Sequence, residues 1–235
     1  MSLLVPPRAP ASEEELMDVE PGEPGELAAC LAELARVNRW LGGRRTTLAH
    51  LEPLLAATRR PVVTVLDVAA GGADMDAAMS AWAAGRGFEL RFTILDRHPL
   101  VLDAALAAAR PRPRAVRGDA LVLPFRDASF DLCVTSLFFH HLEPQQAEAA
   151  LREMRRVART GILVNDLVRD RIAWGWIVLL SRLFSRNRLV RHDGPLSVRR
   201  AYRPEDFRRL ARAMGLRAWG VRRHFPYRMC LWGLV

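Results

Sequence analysis

Lysine is missing from this chain: all 35 Lys+Arg positions are arginine. A bias of that kind follows from GC-rich coding as readily as from function, so the isoelectric point alone identifies no partner. Cysteine is scarce as well. Cys30, Cys133 and Cys230 lie far apart, with no CxxC pair and no metal-ligand spacing. This excludes a disulfide framework, leaves no metal site to expect, and fits a reducing, cytoplasmic setting. Long apolar runs are absent too. The longest, residues 172–180, is far short of the ~20 residues that span a bilayer. Residues 1–26 hold no apolar core of a secretory signal. The expectation is a soluble chain.

What is present is an asymmetry of charge. The first 26 residues carry seven acidic residues and one arginine, and from residue 167 onward there are sixteen arginines and four acidic residues. The Pro-, Gly- and Glu-rich residues 1–26 read as a disordered acidic tail. The basic C-terminal third suits an acidic carrier protein, an anionic membrane surface at which the protein would be peripheral, or plain solvation.

Apolar residues at helical spacing, Leu27, Leu31, Leu34, Val37 and Leu41, precede Gly42-Gly43, and a second helix is expected over about 46–57. Together, residues 27–60 read as a helical cap. From residue 61 onward short apolar strands alternate with helices: strands near 62–68, 88–95, 115–116, 132–136 and 161–166, helices between them. That alternation argues for an α/β domain over 61–235, with a parallel sheet and helices on both faces. Residues 168–200 interrupt the pattern with an insertion containing "RIAWGWIVLLSRLF". A helix opening at Pro204 and two closing strands, about 217–223 and 227–234, follow.

The stretch "LDVAAGGAD", residues 66–74, stands at the first strand-to-helix turn. Dinucleotide folds use glycines there for close approach of a pyrophosphate and for helix packing. Ala69 and Ala73 replace two of them, so a cofactor without phosphates is the better fit. S-adenosylmethionine is one. Asp67 ends the first strand and Gly71 leaves room for the amino-acid end. Asp96 in "FTILDRHP" can accept from both ribose hydroxyls, and Asp119 in "RGDALVLPF" from the adenine amine. All of them fall at the sheet edge where such folds bind ligands.

Over roughly residues 27–235 the chain resembles class I S-adenosylmethionine-dependent methyltransferases. "VLDVAAGGAD" is similar to motif I of the quinone C-methyltransferase branch, which also has alanine where Ala69 stands; Ala73 departs from that pattern. "LDRHPLVLDAA", "GDALVLPF" and "SFDLCVTSLFFHHL" are similar to the later motifs. The resemblance implies a Rossmann-like, mostly parallel seven-stranded sheet with an antiparallel last strand. It also implies a cofactor site lined by Asp67, Ala69, Gly71, Asp96, Arg97, Asp119 and Ala120, with Ser136 close by. The segments "LARVNRWLGGRR", "SRLFSRNRLVRHDGPLSVRRAY" and "RRHFPYR" resemble a bacterial subgroup associated with polyketide or aromatic natural products. Asn38 and Arg39, just before Gly42-Gly43, would close over the cofactor.

Methyl transfer needs alignment first, and a base only where the acceptor carries a high-pKa proton. His192, beside Asp193 and an expected Gly194-Pro195 turn, is the first base candidate, because functional groups concentrate on loops. His140 and His141 after the fourth strand, and Asp166 at the end of the fifth, are the others. Trp174 in the aromatic helix is expected to wall the acceptor site. The expected reaction is methyl transfer to oxygen or carbon of a hydrophobic phenolic, quinoid or polyketide acceptor. Two other classes compete. A nucleic-acid methyltransferase is disfavoured because no "NPPY"- or "DPPY"-type motif follows the fourth strand. A non-catalytic cofactor-binding subunit is the second.

Overall fold

Val63, Val65, Leu66 and Val68 are almost wholly buried, so β1 (Val62–Val68) has apolar neighbours on both faces, as the centre of a parallel sheet requires. The computed structural model describes residues 7–10, 13–20, 22–109 and 112–235. Around β1 are built β2 (Glu89–Asp96), β3 (Arg114–Arg117), β4 (Phe130–Ser136), β5 (Ala158–Leu167), β6 (Ala218–His224) and β7 (Arg228–Leu234). They form one seven-stranded sheet in the order β3-β2-β1-β4-β5-β7-β6. Strands β1 to β5 pair in parallel, while β7 runs antiparallel to both β5 and β6. The strand order reverses between β1 and β4, and that switch point opens a crevice at the carboxyl ends of the strands. The α/β parallel sheet expected from the alternation, and the Rossmann-like sheet with an antiparallel strand that the resemblance implies, are both observed.

The helices, in chain order, are α1 (Leu16–Val19), α2 (Pro24–Trp40), α3 (Gly43–Thr58), α4 (Asp74–Ala84), α5 (Pro99–Ala108), α6 (Pro144–Val157), α7 (Arg171–Phe184), α8 (Arg188–Arg200) and α9 (Pro204–Ala213). One face of the sheet is covered by α6 and α9. Ala147, Ala150, Leu151 and Met154 recur at helical spacing on α6 and pack with Phe139, Phe207 and Ile162. The opposite face is covered by α3 and α4.

That last placement corrects the reading of residues 27–60 as a cap. Leu51, Leu54 and Leu55 of α3 are fully buried against Val63, Val65 and Leu163. A Cβ on Gly161 of β5 would meet Leu54 Cδ2 at 2.8 Å, so helix and strand are in the closest contact the backbone allows. Within residues 27–60, it is α2 that lines the cavity in this crevice, through Leu31, Leu34 and Asn38.

The acidic segment is a second correction. Where residues 13–20 were expected to be disordered, they are docked on α8. Asp193 accepts from the backbone N–H groups of Leu16 (2.7 Å) and Met17 (3.0 Å). Ser197 Oγ donates to Glu15 Oε1 at 2.8 Å, and Arg199 Nη1 to Glu13 Oε2 at 2.8 Å. Glu15 is buried. The arginine-rich C-terminal third supplies the complement that its composition alone did not reveal. Residues 1–6, 11, 12 and 21, also within the expected tail, lie outside the described residues.

The insertion is two packed helices. Asp170 caps α7 by accepting from Ile172 N (2.8 Å) and Ala173 N (3.3 Å), and Asn187 caps α8 by accepting from Leu189 N (2.9 Å). The expected Gly194-Pro195 turn is absent, because both residues lie within α8. Gly194 serves instead as a contact point: a Cβ there would lie 3.3 Å from Ile177 Cγ1 of α7.

Candidate active site

The turn after β1 is shaped by three residues in the left-handed region: Ala69 (φ 54°), Gly71 (φ 54°) and Ala73 (φ 53°). The turn closes through Ala73 N–H donating to Ala70 O at 2.9 Å. It leads into α4 and bounds a cavity of about 550 Å³, of a size that takes a nucleoside-sized ligand. Asp67, Ala69, Gly71, Asp96 and Arg97 border this cavity on one side. Asp119, Ala120, Ser136 and Asn38 complete it. Of the residues expected to hold the cofactor, only Arg39 lies elsewhere. Its guanidinium stacks over the Trp40 ring at 5.0 Å and lines the neighbouring cavity. The cause is helical geometry: adjacent residues of α2 point about 100° apart, so Asn38 and Arg39 cannot share a target.

The polar groups around this cavity are set for a ligand with hydroxyls and positive charge. Asp96 accepts from His98 N (3.0 Å) and, more weakly, from Gly71 N (3.4 Å). Burial pushes its carboxyl up, and those two hydrogen bonds oppose the rise. Asp119 accepts from Leu121 N at 2.8 Å through one oxygen. Ser136 Oγ is buried with no partner among the described residues. Asp74 accepts from Asn38 Nδ2 at 3.1 Å through Oδ1, while its buried Oδ2 lies 3.7 Å from Arg44 Nη2 with no hydrogen bond among the described residues. The unpartnered Ser136 hydroxyl and the carboxylates of Asp96, Asp119 and Asp74 suit the ribose, adenine and ammonium groups of the expected cofactor.

A second cavity, of about 670 Å³, adjoins the first. Met17, Leu34, Leu137 and His141 belong to the walls of both. Its lining is chiefly apolar, with Val37, Trp176, Ile177 and Leu180 among the walls. Trp174, expected as a wall, is exposed and outside the lining; Trp176, two residues on, takes that place.

The polar end of the second cavity holds His140. Its Nδ1 pairs with Asp166 Oδ1 at 2.7 Å, and its backbone N–H donates to Asp166 Oδ2 at 3.0 Å. Asp166 is fully enclosed. Burial alone would raise its carboxyl, but the adjoining His140 and two backbone N–H groups hold it below the usual range. An ionised Asp166 fixes the ring proton on Nδ1 and leaves Nε2 as the basic nitrogen. That nitrogen faces Glu15 Oε1 at 3.5 Å.

His141 is arranged differently. Burial works against its charge, yet Glu15, Asp18 and Asp166 outweigh it and push the imidazole up to about 9. Its Nδ1 donates to Asp18 Oδ2 at 2.8 Å, and Asp18 also meets Arg97 at 3.1 Å. Glu15, His140 and His141 bring donor atoms within 4.8 Å of one another.

Arg228 was not anticipated from sequence. It is buried where β7 begins, Nη2 donating to Asn38 Oδ1 at 3.0 Å, with Nη1 unpartnered among the described residues. Burial lowers it to about 10 against the pull of Asp166 and Asp74. A buried arginine gives no signal in a single arginine-rich sequence.

His192, the first base candidate, belongs to neither cavity. It projects outward from α8 among Arg182, Arg188 and Arg191, with Nδ1 on Asp193 Oδ1 at 2.8 Å. The reason is the missing turn: α8 continues through Gly194-Pro195 and carries residue 192 to its outer side.

Residues 65–161 match the family model described as a methyltransferase domain. The demethylmenaquinone methyltransferase of Roseiflexus sp. (strain RS-1) is 38% identical over 104 residues, which are 43% of this chain and 41% of that relative. A putative methyltransferase of Encephalitozoon cuniculi is 43% identical over 72 residues, covering 30% of this chain and 32% of the relative. The matches therefore span less than half the length of these curated relatives. Among solved structures, human N-acetylserotonin methyltransferase in complex with S-adenosylmethionine aligns with a TM-score of 0.64 at 18% identity, over 96% of this chain and 60% of that one. A methyltransferase from Aquifex aeolicus aligns with a TM-score of 0.60 at 15% identity, over 88% and 98%.

Proposed function

We propose that this chain is a class I S-adenosylmethionine-dependent methyltransferase that methylates an oxygen or acidic carbon of a hydrophobic, phenolic, quinoid or polyketide-like small molecule. One observation carries the reading: the apolar cavity of about 670 Å³ and the cofactor cavity have walls in common at Leu137 and His141. A donor in one and an acceptor in the other meet there.

Bound S-adenosylmethionine supplies an electrophilic methyl group on a sulfonium centre. Asp96 would hold the ribose hydroxyls, Asp119 the adenine amine, and Asp67 and Asp74 would favour the ammonium of the zwitterionic amino-acid end. His140 Nε2, oriented by Asp166, takes the proton of the acceptor hydroxyl or carbon acid. The side chains of Ile177, Leu180 and Val37 exclude water and align the flat acceptor, which is the larger part of the rate gain for an in-line displacement. Arg228 Nη1 offers a fixed positive donor to an oxygen that gains negative charge.

The test is direct. Calorimetry with S-adenosylmethionine and its demethylated product measures the first cavity. Incubation with isotopically labelled cofactor and a panel of alkylated phenols and hydroxyquinones, read by mass spectrometry, measures the second. Absence of cofactor binding overturns the reading. Binding without transfer to any apolar acceptor reduces the chain to a cofactor-binding subunit.

A further inference from the structure

Helix α7 presents its apolar side to solvent. Ile172, Trp176, Leu179 and Leu183 are all exposed, between 47% and 65%. Their spacing of four, three and four residues places them on one narrow stripe along the helix, about 16 Å long. The inner side of α7, with Ala173, Ile177 and Ser181, packs on α8 and the cavity. So the outward stripe is not the cost of an otherwise polar helix; it lies opposite a complete packing face. The stripe also continues beyond α7. Trp176 belongs to the wall of the acceptor cavity, and the same wall includes Trp40 and Phe225, exposed to 72% and 80%.

The two helices beside the stripe carry chiefly positive charge, part of it paired: Arg188 meets Glu20 and Glu26, and Arg199 meets Glu13. Residues 171–200 contain seven arginines and a single acidic residue, Asp193. Asp193 is buried and directed to the backbone of Leu16 and Met17. Arg182 and Arg186 are exposed and form no ion pair among the described residues. No described helix is long and apolar enough to cross a membrane. An apolar stripe that includes Trp176, with Trp40 and Phe225 exposed on the adjoining cavity wall and Arg182 and Arg186 near its C-terminal end, is the pattern of a helix that lies in a lipid interface.

From this continuity of stripe, aromatic rim and cavity, we propose that α7, with Trp40 and Phe225, docks on an anionic lipid surface and opens the acceptor cavity toward it. The proposal rests on the methyltransferase reading for its purpose, since an apolar acceptor dissolved in lipid would enter the cavity without crossing water. An acidic protein partner would meet the arginines but leave Ile172, Leu179 and Leu183 uncovered.

The experiment is flotation of the full chain with two vesicle preparations, phosphatidylcholine alone and phosphatidylcholine with phosphatidylglycerol, repeated for Leu179→Glu and Leu183→Glu. Neither leucine lines a cavity. The parent is expected to float with the anionic vesicles, less at high salt and less with the neutral ones. Each glutamate variant should lose on the order of tenfold or more of that binding, the loss expected for removing one leucine from lipid and adding a like charge. Retained calorimetric binding of S-adenosylmethionine shows that the variants are folded. Equal flotation of parent and variants overturns the proposal. So does a parent that stays in solution as a dimer, converted to monomer by the same substitutions. Cofactor binding without vesicle binding defeats this inference alone, and vesicle binding without cofactor binding defeats the methyltransferase reading alone.

Discussion

Asp67 of β1 and Asp76 of α4 are two buried carboxyls that act on each other beneath the first cavity, and neither oxygen of Asp76 has a hydrogen-bond partner among the described residues. Two carboxyls enclosed together cannot both carry charge, so the pair retains a proton. Burial first, then the neighbouring acidic charges, pushes Asp67 up to about 7, and Asp76 is raised well above its ordinary value for the same reasons. In the folded state the pair binds protons that the unfolded chain releases near 3.8. Stability from this pair is therefore full below the unfolded value and is lost as pH rises through about 7. The ligand-free protein should melt at progressively lower temperature across that window. Asp76→Asn supplies a donor without a second charge and should flatten the profile, as read by calorimetric scans at several pH values.

Asp96 offers the cofactor cavity its clearest acceptor for a ribose. Asp96→Ala should weaken binding of S-adenosylmethionine by roughly 1.5–3 kcal/mol, the range for hydrogen bonds to a charged group. Titration calorimetry measures this, and unchanged affinity would remove the residue from the site.

His140→Ala and Asp166→Asn should each lower turnover by about 10²–10⁴-fold, the contribution of a positioned base. Cofactor affinity should hold. His192→Ala should leave turnover unchanged, because that imidazole lies outside both cavities. Treatment with a chelator should also be without effect. Activity lost to the chelator and restored by a divalent cation would instead make Glu15, His140 and His141 a ligand set.

Removing residues 1–20 deletes the carboxylates of Glu15 and Asp18 that meet His141, and the bridge from Asp18 to Arg97 at the rim of the cofactor cavity. Faster dissociation of the cofactor is expected, measured by stopped-flow displacement. An unchanged off-rate would show that α1 does not close the cavity.

The sheet and the cofactor turn were readable in the sequence because their signals are local. Val62–Val68 is a mostly apolar run, and Asp67, Ala69 and Gly71, which border the first cavity, lie within it or just after it. The acidic segment was not readable. Glu13 finds Arg199 and Asp18 finds His141 across more than a hundred residues, and composition carries no trace of such pairing. His192 was misplaced because Gly-Pro usually breaks a helix. Here the glycine admits Ile177 of α7, and the packing of the two helices overrides the local preference. The exchange of Trp174 for Trp176 is a matter of helical phase, which one sequence leaves free.

Ala69 and Ala73 hold their left-handed backbone at a cost of roughly 1–2 kcal/mol each, and glycine there would add only about 0.5–1 kcal/mol of chain entropy. The two alanines are not equivalent. Ala73 is buried among Ile94, Leu102 and Ala105, so its methyl group returns part of that cost through contact. Ala69 is only partly buried and recovers less. Ala69→Gly should therefore raise the melting temperature by about 2–4 °C, while Ala73→Gly leaves it nearly unchanged. The loop that borders the first cavity is thus held short of its best heat tolerance, and a single methyl group on the rim of that cavity is the reason.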